Sequence, residues 1–168
     1  IGTTTPDTQL HIEGESVTHS HGEFETALGA DIDDSIKVID YIATRLTTDD
    51  TATEMFLNGS STRMVMPTDS VWFFKVNVVA MQVAGTKAGA WSFEGAIINA
   101  NGSVSMPVDQ SGNSHANPTT TFENEWDSTV SCIISADDTN DSLKIAVKGL
   151  DNVRTHWVAD VHIVQTKH

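Results

Sequence analysis

Apolar and polar residues alternate with a period of two along most of the chain, the pattern of half-buried β-strands. The clearest run is Thr155–Gln165, where Trp157, Ala159, Val161 and Ile163 share one face and His156, Asp160 and His162 share the other. Val158 and Val164 interrupt the polarity of that second face. The longest run, Ser70–Val83, carries Val76, Val78 and Ala80 on one face and Phe73 and Val79 on the other. A strand that is apolar on both faces is covered on both. The pattern therefore predicts a second sheet on one side of this strand and a neighbouring chain on the other.

Ser35–Thr47 fits two templates. Ile36, Ile39, Ile42, Ala43 and Leu46 have helical spacing, whereas the β-branched content and the alternation Ile36, Val38, Asp40, Ile42 favour a strand. Thr51–Leu57 leads into Asn58-Gly59, a hairpin signal before Arg63–Met66, and Asn101-Gly102 joins Trp91–Ala100 to Ser103–Val108 in the same way. Thr8–Glu13, Thr120–Glu125, Thr129–Ser135 and Ser142–Val147 complete the set of strand candidates. Asp109–Thr119 (DQSGNSHANPT) is polar and rich in turn formers, and reads as the main exposed loop.

About ten short strands separated by turns predict an antiparallel β-sandwich, jelly-roll-like in character. No period of roughly 20–50 residues repeats, which excludes propellers and solenoids. Residues 1–22 hold a short strand between the Thr/Pro run GTTTPD and the polar run GESVTHSHG. They read as a linker or fibre-stalk segment, and residues 23–168 as the sandwich domain. The start at Ile1 instead of Met suggests a piece of a longer protein.

Composition narrows the partners. The chain has 168 residues, enough for one domain with a real core. Nine Lys+Arg against 23 Asp+Glu give a net charge of −14, with no basic cluster to meet a nucleic-acid backbone. No apolar run approaches the ~20 residues of a membrane-spanning helix, so no membrane insertion is expected. The single cysteine, Cys132, lies in an apolar run and reads as a small core residue that forms no internal disulfide.

Catalytic signatures are missing from the sequence: there is no P-loop, GxSxG, CxxC or HExxH. The expectation is a non-enzymatic protein. His19 and His21 are two residues apart, so an extended strand would place both imidazoles on one side. Around a trimer axis such pairs could hold an octahedral metal ion; alternatively they belong to a solvated linker. No other cofactor is expected. Asp31, Asp33 and Asp34 have calcium-like spacing but lack the glycine and closing glutamate of an EF-hand, so an acidic turn is the competing reading. His156, Asp160 and His162 could form a site or simply a polar strand face. Trp72, Trp91 and Trp157 fall within apolar alternation and read as core. Trp126, just beyond the polar loop, is the best-placed tryptophan for stacking on a sugar ring, with a core position as the alternative.

Two segments carry a family resemblance. Ile1–Ile12 (IGTTTPDTQLHI) resembles a short strand-turn repeat of phage tail-fibre shafts and related bacterial adhesins. Ser142–Thr166 (SLKIAVKGLDNVRTHWVADVHIVQT) is similar to the end of a domain of phage structural proteins, and Ala90–Asn99 (AWSFEGAIIN) fits its partner strand. The resemblance implies a β-sandwich on a homotrimeric fibre, near its receptor-binding end, and supplies no catalytic residues.

The expected function is thus host attachment by a virion appendage, exposed on the particle surface. Its partners would be other copies of itself, other virion proteins, and a host glycan or surface protein. Asn113, His115, Asn117 and Trp126 are the candidate receptor-contacting residues. Two other functions remain: a horn-like capsid decoration without receptor binding, and a bacterial carbohydrate-binding module. A glycan-active enzyme would need two carboxylates about 5–9.5 Å apart in a cleft, and the sequence singles out no such pair.

Overall fold

Eleven strands form the described part of a computed structural model of the chain, and no helix occurs among them. The structure describes residues 23–27, 36–85, 87–107, 117–124 and 130–167; for 23–27, 36 and 117–124 it gives the backbone alone. In chain order the strands are β1 (Glu23–Ala27), β2 (Ile36–Thr47), β3 (Thr53–Glu54), β4 (Met64–Val65), β5 (Ser70–Gln82) and β6 (Ala88–Ala100). They continue with β7 (Ser103–Ser105), β8 (Asn117–Asn124), β9 (Ser131–Asp137), β10 (Ser142–Lys148) and β11 (Thr155–Lys167).

The strands make two antiparallel sheets packed as a β-sandwich, as the alternation predicts. The larger sheet has seven strands in the order β1-β2-β11-β5-β6-β7, with β8 also pairing β6. β11 lies in its middle, pairing β2 along one edge and β5 along the other for nearly its whole length. The smaller sheet is built on β10, with β9 on one edge and β3 and β4 on the other.

Alternation decides which face is inside. Residues 72, 74, 76, 78 and 80 of β5 and 157, 159, 161 and 163 of β11 are buried against Leu143, Ile145 and Val147 of β10 and Cys132 and Ile134 of β9. Trp72, Trp91 and Trp157 are core residues, as their placement in the sequence predicts. Each polar tryptophan edge that is accounted for finds a partner across strands. Trp72 Nε1 donates to Gln165 Oε1 at 2.8 Å, and Trp157 Nε1 donates to Thr47 Oγ1 at 3.0 Å. Trp91 stacks on Trp157 with ring centroids 5.4 Å apart. Gly89 makes room for it, because a Cβ there would sit 2.5 Å from Cη2 of Trp91.

The helical reading of Ser35–Thr47 loses to the strand. Ile39, Tyr41 and Ala43 face the core while Ile42 and Leu46 face out, which a period of two produces and a helix does not. The turn at Asn101-Gly102 forms as expected: both residues have positive φ, 54° and 81°, and Ala100 pairs with Ser103.

Asn58-Gly59 behaves differently from the expected hairpin. Its turn forms, with Asn58 Oδ1 accepting from the amides of Ser60, Ser61 and Thr62. The flanking strands β3 and β4 do not pair with each other, however; both pair with β10, at opposite ends. The segment between them leaves the small sheet and meets the large one, where Phe56 and Thr44 exchange backbone hydrogen bonds of 2.9 and 3.3 Å. Arg45 and Arg63 lie 5.8 and 5.1 Å from the Phe56 ring centroid, and Arg63 makes a two-bond ion pair with Glu54. The turn signal was real, but a corner between sheets satisfies it as well as a hairpin does.

Two further differences concern edges. β1 (EFETA) pairs with β2 although the sequence analysis places no strand there; glutamates are usual on edge strands, which must not invite a further strand. β8 begins at Asn117, so Asn117, Pro118 and Thr119 belong to a strand paired with β6 and not to the exposed loop.

Candidate functional site

The outer face of the larger sheet is the most distinctive surface. Here the registers of β2, β11, β5 and β6 set side chains in rows across the strands. One apolar band contains Val38, Val164, Phe73 and Ala96 in a row, with Val71 and Ile98 beside them. A second contains Thr44, Val158, Val79 and Ala90, followed by Leu46, His156, Met81 and Ala88. Between the bands lie two polar rows: Asp40, His162, Lys75, Glu94, and Ile42, Asp160, Asn77, Ser92.

These apolar side chains are open to solvent. Phe73 is 47% exposed, Val79 54% and Met81 59%, and Ile42, Leu46, Val71, Val158 and Val164 are exposed as well. Single exposed apolar residues are ordinary, whereas a contiguous apolar surface marks an interaction site. Each band also holds an open depression. One, of about 400 Å³, lies beside Phe73, Glu94 and Ala96. The other, of about 420 Å³, is lined by Val79, Met81, Ala88, Ala90, His156 and Val158. Its floor is low because β6 supplies only Ala88, Gly89 and Ala90 there.

The polar rows are ordered by their own contacts. His162 Nδ1 lies 2.6 Å from Asp40 Oδ1. An ionised carboxylate only accepts, so Nδ1 donates and the ring is held with Nε2 away from Asp40. Ser92 Oγ donates to Asn77 Oδ1 at 3.1 Å. Lys75 and Glu94 are both exposed and directly paired in register. The face therefore offers charges in fixed rows between two apolar bands.

Chemistry elsewhere is sparse. Among the described residues, no three His, Cys, Asp or Glu side chains gather as a metal ion would require. Burial pushes the Cys132 thiol up to about 12, far from a reactive thiolate. His156, Asp160 and His162 share the outer face as the alternation predicts, but His162 pairs with Asp40 of β2 and His156 lines the apolar depression. They do not converge on one site.

Comparison with protein-family models, curated proteins and solved structures gave no match.

Among the remaining sequence candidates, Asn117 is the first residue of β8, in register with Glu94. Asn113, His115, Trp126, His19, His21, Asp31, Asp33 and Asp34 lie outside the described residues, as do the 1–22 segment and its Thr8–Glu13 strand. The sequence did point to the two-faced β5 and to Val158 and Val164. It did not reveal the Asp40–His162 pair or the depression, because both depend on strand register. The available signal was the position of Asp40 and His162 near the middle of strands that alternate in the same phase.

Proposed function

We propose that the chain is a non-enzymatic structural and host-attachment domain: the β-sandwich of a phage tail fibre or comparable virion appendage. The observation that carries this reading is the outer face of the larger sheet, with its two exposed apolar bands. A contiguous apolar surface of this kind marks an interaction site, and assemblies of identical chains supply a partner for it. Ser142–Thr166, whose pattern resembles phage structural proteins, supplies β10 and the central β11. The net charge of −14 keeps such an assembly soluble and repels other anionic surfaces. In this reading Asn113, His115 and Trp126 contact the host receptor, and the outer face of the sheet joins the virion together.

The test is adsorption. The labelled chain is incubated with bacterial cells of several surface types and with an array of cell-surface glycans. Saturable binding to one of them is expected. Absence of binding in both formats overturns the attachment role.

A further inference from the structure

Resting on the outer face as an assembly surface, a further step identifies what covers it and in which register. We propose that this face pairs with the same face of a second copy, about a two-fold axis running across the strands. The axis lies between the row Asp40–His162–Lys75–Glu94 and the row Ile42–Asp160–Asn77–Ser92.

Such an axis reverses the order of the rows while keeping each strand over its own counterpart. The two polar rows then face each other. His162 lies opposite Asp160 of the second copy, Lys75 opposite Asn77, and Glu94 opposite Ser92. In these three columns each charged or polar group meets a polar group without a like charge; in the fourth, Asp40, already bonded to His162, lies opposite Ile42. The Nε2 edge of His162, turned away from Asp40, faces the second copy's Asp160 and donates to it when the ring carries both protons.

The apolar bands exchange places under the same operation. Val164 meets Val158 of the second copy, and Phe73 meets Val79. Among the described residues Phe73 is the largest side chain of the outer face, and Val79 lines the 420 Å³ depression floored by Ala88 and Ala90. The two-fold therefore sets Phe73 over this apolar depression, twice per dimer.

The competing two-fold, along the strands between β11 and β5, fails on charge. It sets Asp40 against Glu94, and like charges held face to face are strongly unfavourable. An axis along β11 places Asp160 against itself. Of these axes, the cross-strand one alone sets no like charges face to face.

Size agrees. Four strands at about 4.8 Å spacing and about 12 residues at about 3.3 Å give a face of roughly 800 Å², near what each partner contributes to a standard stable interface. Sheets packed this way lie about 10 Å apart with strands about 30° from alignment, so contacts near the axis are the best defined.

The experiment uses the full chain. Light scattering at micromolar concentration is expected to give twice 18.1 kDa. Val158→Cys and Val164→Cys chains are then mixed and treated with a short thiol-to-thiol crosslinker. Opposed positions crosslink in the mixture, whereas Val158→Cys alone does not, its two copies being about 20 Å apart across three rows. Both positions are exposed, and the inert Cys132 does not compete. Ser92→Lys, facing Glu94 of the second copy, is expected to tighten the dimer several-fold, and Ser92→Glu to loosen it.

A monomer at 100 µM overturns the pairing, because the face is then covered by another segment of this chain or by a different protein. A mass of three chains overturns the two-fold while leaving an assembly surface in place. Crosslinking of Val158→Cys alone overturns the register. The adsorption test is independent of all three, so failure of attachment and failure of the dimer are separable.

Discussion

Trp72 and Gln165, directly paired in register on β5 and β11, share a buried hydrogen bond of 2.8 Å between the indole N–H and the amide oxygen. Both side chains are almost wholly shielded, at 1% and 2% exposure. An indole N–H deprived of this partner is left unmet in a largely shielded position. Gln165→Leu is expected to lower stability by about 1–3 kcal/mol, the penalty for an unmet buried donor. Urea unfolding monitored by tryptophan fluorescence measures it; an unchanged midpoint would mean the bond contributes nothing net.

Ser142 presents the opposite case. It is fully buried, and its hydroxyl has no hydrogen-bond partner among the described residues. Ser142→Ala removes an unmet polar group and should leave stability unchanged or raise it by up to about 1 kcal/mol. A loss exceeding about 1 kcal/mol in the same assay would contradict this.

Two glycines separate steric from conformational strain. At Gly89 a methyl group would collide with the Trp91 ring, which must then leave its stack on Trp157. At Gly102 nothing lies within 4 Å of an added Cβ, but φ is +81°. Gly89→Ala should lower stability by about 1–3 kcal/mol and alter the near-ultraviolet circular dichroism of the tryptophan pair. Gly102→Ala should cost about 1 kcal/mol and leave that spectrum unchanged. Equal spectral effects would show that Trp91 is not what Gly89 accommodates.

Cys132 sets an alkaline limit. Burial holds its thiol protonated up to about 12, while an unfolded cysteine ionises near 8.5. The folded chain therefore binds the proton more tightly. This contribution is fully present below about pH 8.5 and is lost as pH rises toward 12, at up to about 1.4 kcal/mol per pH unit. Cys132→Ala should flatten the decline in stability between pH 8.5 and 10.5, measured by urea midpoints. A decline as steep as in the unsubstituted chain would assign it to other groups.

His115→Ala with Trp126→Ala is expected to reduce host-cell or glycan binding at least tenfold without shifting the melting temperature. Retained binding would move the attachment site away from His115 and Trp126.

Much of the sandwich was legible because burial in a sheet imposes a strict period of two. Trp157, Ala159, Val161 and Ile163 could be assigned to the core from spacing alone, and Phe73 and Val79 announced a strand that is apolar on both faces. Pairing was less legible. Nothing local in Thr53–Glu54 and Met64–Val65 says that they run along β10 and not along each other, since a tight turn fits either arrangement. The candidate face was half legible for the same reason: its apolar content is written in each strand, but its rows appear only when β2, β11, β5 and β6 are laid in register.

The central place of β11 carries a consequence for synthesis. β2 and β5 reach the ribosome exit long before residues 155–167, yet each needs that strand to complete its backbone pairing. A nascent chain lacking β11 has two unpaired, apolar strand edges facing an empty slot, the kind of edge that recruits foreign strands. The domain must therefore finish folding after Lys167 has emerged, and a premature stop before Thr155 yields a sticky half-sheet in place of a smaller working domain.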